Sequence, residues 1–345
     1  VRARGFDAVA ALTARFDGHE VTADTVCVAP ARLREAMEAI DPGLREALQF
    51  AADRIRAYHE RQVPQDVSYT DQEGVALGWR WTAMAAAGLY APGGRAAYPS
   101  SVLMNAIPAK VAGVARLAMT TPVTGGVWND AVLAAAHIAG VDEVYAIGGA
   151  QAIGALAFGA GPIAAVDVIV GPGNAYVAEA KRQVFGHVGI DSVAGPSEIL
   201  VVADADNDPD WIAADLLSQA EHDPSSQSIL ITDSADFAGA VAVAVAAQLD
   251  VSPRSAIAGA AWRDNSAIVI VETLADAPAL VDRIAPEHLE LAVADPAALA
   301  LAIRNAGAIF LGKHTPEAVG DYVAGPDHVL PTGGGARFAS GLSVF

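Results

Sequence analysis

Two side chains that could share a cation lie near the end of one predicted helix. Apolar residues recur at helical spacing from Asp210 to Ala220, and the Asp223-Pro224 pair predicts where this helix stops. Gln219 and His222 are three positions apart, so they share one face at its C-terminal end. There an amide oxygen and an imidazole could hold a cation if carboxylates arrive from elsewhere. A polar helix end with a capping histidine is the plainer alternative.

A carboxylate and an imidazole stand side by side in Glu287-His288, at the start of a predicted strand. Such a pair can divide proton transfers, because histidine can accept a proton from an alcohol while glutamate activates a water. An exposed polar loop is the alternative for this stretch. Further along the chain, Asp321 and His328 add a hard oxygen donor and another imidazole. Asp, His and Gln donors together suit Zn²⁺ or a similar divalent ion.

Strands and helices alternate along most of the chain after a helical N-terminal segment that ends near Pro64. The first series has apolar strands at residues 114–122, 141–149, 166–173 and 189–193. The second series has them at residues 197–204, 227–233, 266–272, 289–295 and 306–312. Strands that alternate with helices through short connections predict parallel sheets with helices on both faces. We therefore expect an α/β protein with two doubly wound parallel-sheet modules.

Three glycine turns in the first series each follow a strand and open a helix. They are Pro92-Gly93-Gly94, Gly148-Gly149-Ala150-Gln151 and Gly171-Pro172-Gly173-Asn174. Doubly wound sheets bind ligands at the carboxyl ends of their strands, and backbone N–H groups at helix starts suit a pyrophosphate. No G-x-G-x-x-G sequence follows a strand here. A nucleotide site and simple tight turns therefore both stay open on these residues alone.

Composition excludes several classes of function. The chain has 345 residues, a formal charge of −19 and no cluster of basic residues, which argues against binding nucleic acid or anionic lipid. It is 53% hydrophobic, yet its longest apolar stretch, residues 238–247, is too short to span a bilayer. The single cysteine, Cys27, allows no internal disulfide, and its apolar surroundings predict a buried structural thiol. A reducing cytoplasm is the expected location.

Eight segments of the chain together resemble histidinol dehydrogenase, the zinc- and NAD-dependent enzyme family of histidine synthesis. The segments are GLYAPGG from Gly88, AYPSSVLMNAIPAKVAGV from Ala97, GGAQAIGALAFG from Gly148, VGPGNAYVAEAKRQV from Val170, AGPSEILVVAD from Ala194, DLLSQAEHDPSSQ from Asp215, PEHLEL from Pro286 and GDYVAGPDHVLPT from Gly320. They cover most of residues 88–332 in the order of the family, so the resemblance is specific.

The resemblance implies a role for each candidate residue. Tyr90, Gln151 and Asn174 would contact NAD, and Gln219, His222 and Asp321 would hold Zn²⁺. The substrate histidinol would be bound by Ser197 and His328 together with the zinc ligands and His288. Glu287 and His288 would form the acid–base pair. His288 would take the proton of the alcohol, and Glu287 would activate the water that adds to the aldehyde, because Cys27 is not expected near the substrate.

The resemblance also implies how the two incomplete Rossmann-like modules are arranged. One would be inserted in the other, with residues 90–198 forming an NAD-binding domain inside a discontinuous domain of residues 1–89 and 199–345. The family is a homodimer in which a C-terminal tail supplies another zinc-ligand histidine and a substrate-binding glutamate to the partner. The chain stops at Phe345, where that tail would begin. These 345 residues alone are therefore expected to bind zinc loosely, to oxidise histidinol poorly and to dimerise less well.

Two other functions remain open at this stage. A family relative that oxidises another small alcohol, such as a sulfonated diol, would share the zinc and acid–base residues. A catalytically silent binding or assembly module would keep the fold, but the intact Glu287, His288, Gln219 and Asp321 argue against it. Short distances among these four side chains would favour an enzyme.

Overall fold

The computed structural model describes residues 1–93 and 98–345, and it divides into two compact units. The first unit holds residues 1–193, 322–329 and 342–345, and the second holds residues 194–321 and 330–341. Gly94 of the first glycine turn and Ala97 of the second matching segment lie outside the described residues.

The first unit begins with three helices and a small hairpin. These elements are α1 (Gly5–Asp17), α2 (Pro30–Ala39), α3 (Pro42–His59) with a 3-10 turn at Glu60–Gln62, β1 (Val67–Thr70) and β2 (Ala76–Trp79). Asp41 starts α3 by accepting hydrogen bonds from two backbone N–H groups of its first turn, and Pro42 takes the first helical position. The helical prediction is confirmed as far as His59. The antiparallel β1–β2 hairpin was not predicted from the sequence.

A five-stranded parallel sheet forms the centre of the first unit. Its strands are β3 (Ala86–Tyr90), β4 (Arg116–Thr120), β5 (Glu143–Tyr145), β6 (Val168–Val170) and β7 (Gly189–Ile190), in the order β5-β4-β3-β6-β7. Its helices are α4 (Pro99–Ala112), α5 (Asp130–Ala139), α6 (Gly149–Phe158) and α7 (Ala175–Val184), with a 3-10 turn at Thr124–Gly126. Along β3, Ala87 and Leu89 join one hydrophobic cluster while Ala86 and Tyr90 join another, so helices cover both faces.

The predicted domains meet between residues 89 and 90, but the structure has both residues in one unit. That boundary falls inside β3, which is the central strand of the first sheet. Residues 1–89 lie in the first unit because α2 and α3 bury Leu33, Leu48 and Ile55 in the same cluster as Leu89 of β3. The other boundary, predicted at residue 198, lies between residues 193 and 194.

The second unit contains another five-stranded parallel sheet. Its strands are β8 (Glu198–Ala203), β9 (Gln227–Thr232), β10 (Ala267–Ile270), β11 (His288–Ala292) and β12 (Ala308–Leu311), in the order β10-β9-β8-β11-β12. Its helices are α8 (Pro209–Ala220), α9 (Ala235–Val251), α10 (Ser255–Asn265), α11 (Ala277–Ile284), α12 (Pro296–Ala300) and α13 (Ala318–Tyr322), with 3-10 turns at Leu274–Asp276 and Gly335–Arg337.

Strand β8 shows why these segments fold as parallel strands. All six of its residues are buried, and Ile199 and Val201 pack in one hydrophobic cluster while Leu200 and Val202 pack in another. A strand covered on both faces appears in the sequence as a continuous apolar run. The prediction of two doubly wound parallel-sheet units is confirmed. In the part of the chain that the structure describes, every helix is too short or too polar to cross a bilayer.

Candidate active site

The amino end of β11 carries the predicted acid–base residues, Glu287 and His288, beside the amino end of β8. These two strands are parallel neighbours in which His288 pairs with Ile199, so Ser197 and Glu287 precede adjacent strands at one edge of the sheet. Helix α8 returns the chain from the carboxyl edge of the sheet to this amino edge, which brings Gln219, in its last turn, to the same side. The backbone N–H of Gln227, which starts β9, donates to the carbonyl of Ser197 over 2.9 Å.

Glu198 connects the two acid–base residues. Its backbone N–H donates to Oε2 of Glu287 over 2.9 Å, and its own Oε2 accepts from the backbone N–H of Glu287 over 3.3 Å. Nδ1 of His288 lies 2.9 Å from the carbonyl oxygen of Glu198. Since a carbonyl only accepts, Nδ1 must carry the hydrogen, and Nε2 is left as the basic nitrogen.

Burial sets the protonation of this pair. It raises the pKa of Glu287 well above its usual range, and the nearby carboxylates of Glu198, Asp321 and Glu317 raise it further. Burial also lowers the pKa of His288, which keeps the imidazole neutral and able to accept a proton near pH 7. A cation among these carboxylates would lower the pKa of Glu287 again and favour the ionised form that can act as a base.

A third carboxylate, Glu317, faces the same imidazole. Its Oε1 lies 3.6 Å from Nε2 of His288, and one ligand atom from each of His288, Glu317 and Asp321 lies within 4.8 Å of the others. The hydroxyl oxygen of Ser218 lies 3.0 Å from Oε2 of Glu317 and 2.7 Å from the carbonyl oxygen of Asp215, so its one hydrogen is shared between these two acceptors. Burial and the Glu317 carboxylate raise the pKa of Asp321 to about 7. This concentration of buried anions is an arrangement that a divalent cation would stabilise.

The other predicted metal ligands, Gln219 and His222, lie at the end of helix α8, close in sequence to Ser218, which contacts Glu317. Gln219 is buried, whereas His222 is exposed, with Nδ1 2.9 Å from the carbonyl oxygen of Ser218. That contact leaves Nε2 of His222 as its basic nitrogen. Imidazole, amide and carboxylate donors fit a zinc ion in this place.

The predicted cofactor residues lie at the point where the first sheet changes direction. The chain proceeds from β3 outward through β4 and β5, and then returns to place β6 on the other side of β3. Doubly wound sheets bind nucleotides at such a point, at the carboxyl ends of the strands. Tyr90 ends β3 and Gly171 follows β6, and a Cβ on Gly171 would lie 2.3 Å from the carbonyl oxygen of Tyr90. Only glycine permits this close approach.

Tyr90 and Gln151 meet at the start of α6. The backbone N–H of Gly149 donates to the hydroxyl oxygen of Tyr90 over 3.1 Å, and Oε1 of Gln151 lies 2.9 Å from where a Cβ of Gly149 would stand. Burial raises the pKa of Tyr90, so its hydroxyl stays protonated. Nε2 of Gln151 is buried without a hydrogen-bond partner among the described residues. An unsatisfied donor beside a glycine turn fits an NAD molecule bound here.

Asn174 and His328 are placed differently from these residues. Asn174 is exposed and caps α7, since its Oδ1 accepts from two backbone N–H groups of the first turn. His328 lies in the first unit, on the segment of residues 322–329. That segment is held by Arg54, which donates to the carbonyl oxygens of residues 323 and 324, and by buried Asp327, whose Oδ2 lies 3.8 Å from Nε2 of His59.

Two residues of the site were missed in the sequence, and one expectation was wrong. Glu317 stands four positions before Asp321, a helical spacing that could have revealed it. Glu198 directly follows Ser197, but it contacts Glu287, which lies 89 positions later in the chain, so no local pattern could reveal its role. Cys27 was expected to be buried and is exposed, because a single bridge to Tyr145 at the edge of the first sheet leaves its side chain outward.

Comparison with known proteins identifies one family over the whole chain. The sequence profile of the histidinol dehydrogenase family matches residues 1–345. Histidinol dehydrogenase from Rhodospirillum rubrum is 64% identical over 345 residues, which cover 100% of this chain and 80% of that protein. The enzyme of the same name from Ruegeria pomeroyi is 63% identical over 344 residues, with 100% and 79% of the two chains covered.

Solved structures agree with the sequence matches. The crystal structure of histidinol dehydrogenase from Elizabethkingia anophelis superposes with a TM-score of 0.94 at 37% identity, covering 98% of this chain and 78% of that one. Propionaldehyde dehydrogenase from Rhodopseudomonas palustris superposes with a TM-score of 0.52 at 14% identity, covering 99% and 94% of the two chains. The second likeness concerns the fold alone.

Proposed function

Because the chain belongs to the histidinol dehydrogenase family, we propose that it oxidises L-histidinol to L-histidine through L-histidinal, with two molecules of NAD. The chain is thus an oxidoreductase of histidine biosynthesis. One observation of the site supports the proposal most directly: buried Glu287 and His288 stand together on Glu198, beside the carboxylates of Glu317 and Asp321.

The first oxidation requires a base for the alcohol proton. His288 suits this step because its Nδ1–H is held by the carbonyl of Glu198 and its Nε2 is basic and neutral. The hydroxyl proton passes to Nε2 while the carbon–hydrogen bond of the alcohol breaks. NAD supplies the acceptor for the hydride, and the products are the aldehyde, NADH and one proton.

The second oxidation requires addition of water to the aldehyde. Glu287 suits this step because its carboxylate is fixed by the backbone N–H of Glu198 and lies 3.6 Å from Nδ1 of His288. It takes a proton from the water as the oxygen adds to the carbonyl carbon, and the carbonyl oxygen takes up the proton held by His288 to complete the hydrate. The hydrate then loses a hydride, for which a second NAD would be the acceptor, and a hydroxyl proton, which Nε2 of His288 accepts, and the acid is left. A thiol is not needed for this route.

Gln219, His222 and Asp321 would hold zinc, and Ser197 and His328 would help to bind the substrate. Zinc supplies a fixed positive centre for the amine and imidazole nitrogens of histidinol. Tyr90, Gln151 and Asn174 would contact NAD, since the glycine turns beside Tyr90 and Gln151 allow close approach to the backbone. The resemblance to the family also implies that the protein is a homodimer. We propose the cytoplasm as its location.

The test measures the formation of NADH by the purified protein with histidinol and, in parallel, with a sulfonated diol. The zinc content of the protein is determined in the same preparation. Histidinol-dependent formation of two NADH per substrate, together with bound zinc, is the expected result. Faster turnover of the diol than of histidinol would indicate that the diol is the substrate. Absence of turnover with both alcohols in the presence of Zn²⁺ would contradict an enzymatic role.

A further inference from the structure

We propose that Glu317 is a further carboxylate of the cation site, facing Asp321 and Nε2 of His288 and adding a negative charge that a bound divalent cation requires. The inference rests on the proposed function, because it concerns the cation that Gln219, His222 and Asp321 would hold. It goes further in assigning a charged role to a residue outside that ligand set.

The burial of Glu317 is the first observation. Only 1% of the residue is exposed, and its Oε1 has no hydrogen-bond partner among the described residues. Across the same residues, no lysine or arginine pairs with it. An ionised carboxylate removed from water costs several kcal/mol unless a positive charge or a set of donors compensates. The single hydroxyl of Ser218 on Oε2 is insufficient for that.

The direction in which Oε1 points is the second observation. It faces Nε2 of His288 at 3.6 Å, and its donor atom, that of Asp321 and that of the imidazole all lie within 4.8 Å of one another. Nε2 is the nitrogen without a hydrogen, so it presents a lone pair to the carboxyl groups of Glu317 and Asp321, which are hydrogen-bonded to each other. A divalent cation bound among the three groups would replace the proton of that hydrogen bond and would be attracted by both carboxylates.

The way Glu317 is anchored is the third observation. Ser218, whose hydroxyl group contacts its Oε2, directly precedes Gln219 on α8, and Glu317 lies one turn before Asp321. Glu317 therefore contacts the helix end that carries one proposed ligand and precedes the short helix that carries another. A side chain in this position fixes the ligands relative to one another as well as adding charge.

The experiment measures zinc affinity directly, without relying on turnover. Metal-free chain is titrated with Zn²⁺ against a competing chelator for the unmodified protein and for Glu317→Gln, Glu317→Asp, Ser218→Ala and Glu272→Gln. Glu272 is exposed and lies after β10, so it is a control for the loss of one negative charge from the same unit. Thermal unfolding of each metal-free protein is recorded at the same pH.

Glu317→Gln is expected to weaken zinc binding by about 10- to 100-fold, the usual effect of residues that support metal ligands. The metal-free variant should unfold at about the same temperature, because the amide has nearly the size and shape of the carboxyl group that it replaces. Glu317→Asp, which keeps the charge, should bind zinc more tightly than Glu317→Gln. Ser218→Ala should lose less affinity, and Glu272→Gln should lose none.

Several outcomes would overturn the inference. Equal zinc affinities of the unmodified protein and Glu317→Gln would do so, as would an equal loss in Glu317→Asp and Glu317→Gln. A metal-free Glu317→Gln protein that is strongly destabilised would point to a role in packing and would also overturn it. If the unmodified chain does not bind zinc, the metal part of the proposed function fails, and this inference fails with it. If the unmodified chain binds zinc and only the results for the Glu317 variants differ from those expected, the inference fails alone.

Discussion

Lys181 and Asp191 form a buried ion pair directly behind the Gly171 turn of the first unit. Their side chains are only 2% and 5% exposed. Nζ of Lys181 also donates to the carbonyl oxygen of Gly171 over 3.0 Å, and Oδ2 of Asp191 accepts from the N–H of Gly171 over 2.8 Å. Both peptide groups of Gly171 are thus held by side chains of opposite charge, which fixes the turn beside Tyr90.

Replacing Lys181 with methionine should therefore destabilise the protein strongly. Asp191 would remain buried without its partner, and breaking a buried pair in this way typically costs ~3–5 kcal/mol. Urea unfolding measures the free energy of unfolding. Lys110→Met serves as the control, because Lys110 pairs with Asp142 near the surface and its loss should cost less than ~1 kcal/mol. Similar losses in the two variants would contradict the role of burial.

The acid–base pair should separate the two oxidations. We expect His288→Asn to abolish both steps, because both require its Nε2, and Glu287→Gln to block mainly the oxidation of the aldehyde. A general base of this kind typically contributes about 10²- to 10⁴-fold in rate. Single-turnover kinetics with histidinol and with histidinal measure each step. An equal loss of both steps in Glu287→Gln would disprove the division of labour.

Cys27→Ala should leave turnover nearly unchanged. Cys27 is an exposed residue, but burial of part of its side chain and, to a smaller extent, the charge of Glu143 raise the pKa of the thiol, so little thiolate forms near pH 7. The change in the free energy of unfolding should stay within about 0.5 kcal/mol, as for ordinary surface positions. Steady-state assays and urea unfolding check both expectations. A large fall in turnover of a fully folded variant would revive a thiol mechanism.

The stability of the first unit should depend on pH through Asp327. Burial raises the pKa of Asp327 well above its usual range, and the neighbouring carboxylate of Asp191 raises it further. The unfolded chain then loses this proton at a lower pH than the folded chain, so this residue lowers stability as pH rises from about 4 towards the raised pKa. The slope from one such group is at most about 1.4 kcal/mol per pH unit.

Asp327→Asn removes this dependence. The stability of the variant relative to the unmodified protein should therefore increase between pH 5 and pH 8. Urea unfolding at several pH values measures the difference. His59, opposite Asp327, has a pKa lowered by burial. It therefore lowers the free energy of unfolding as the pH falls below the pKa of histidine in the unfolded chain. His59→Asn provides the comparison, and a constant difference for Asp327→Asn across this range would refute the assignment.

Much of the fold was predictable because parallel strands buried on both faces leave an unmistakable pattern. The runs that became β8 and β9 are mostly apolar, and the helices between the strands have short connections. The β1–β2 hairpin left no such pattern because its strands are mostly exposed. Helix α10 was also missed, since its alanine-rich sequence lies in what looked like a connection.

The site was predictable where neighbours in sequence are also neighbours in space. Glu287 and His288 are adjacent, and Gln219 and His222 share a helix end. Glu198 reaches its partners only when β8 and β11 pair, which no local pattern encodes. The glycine turns of the first sheet lie at the carboxyl ends of its strands, where doubly wound sheets bind ligands. In the second sheet the acid–base pair lies at the amino ends instead.

The last turn of helix α8 carries Gln219, a proposed metal ligand. The position of Gln219 therefore depends on the number of residues in this helix as well as on their types. Each inserted residue would rotate the end of this helix by about 100° and advance it by about 1.5 Å. Gln219 would then leave the side on which Ser218 contacts Glu317. Insertions and deletions should therefore be excluded from α8 more strictly than from the connection between α9 and α10, where neither helix end carries a residue of the site.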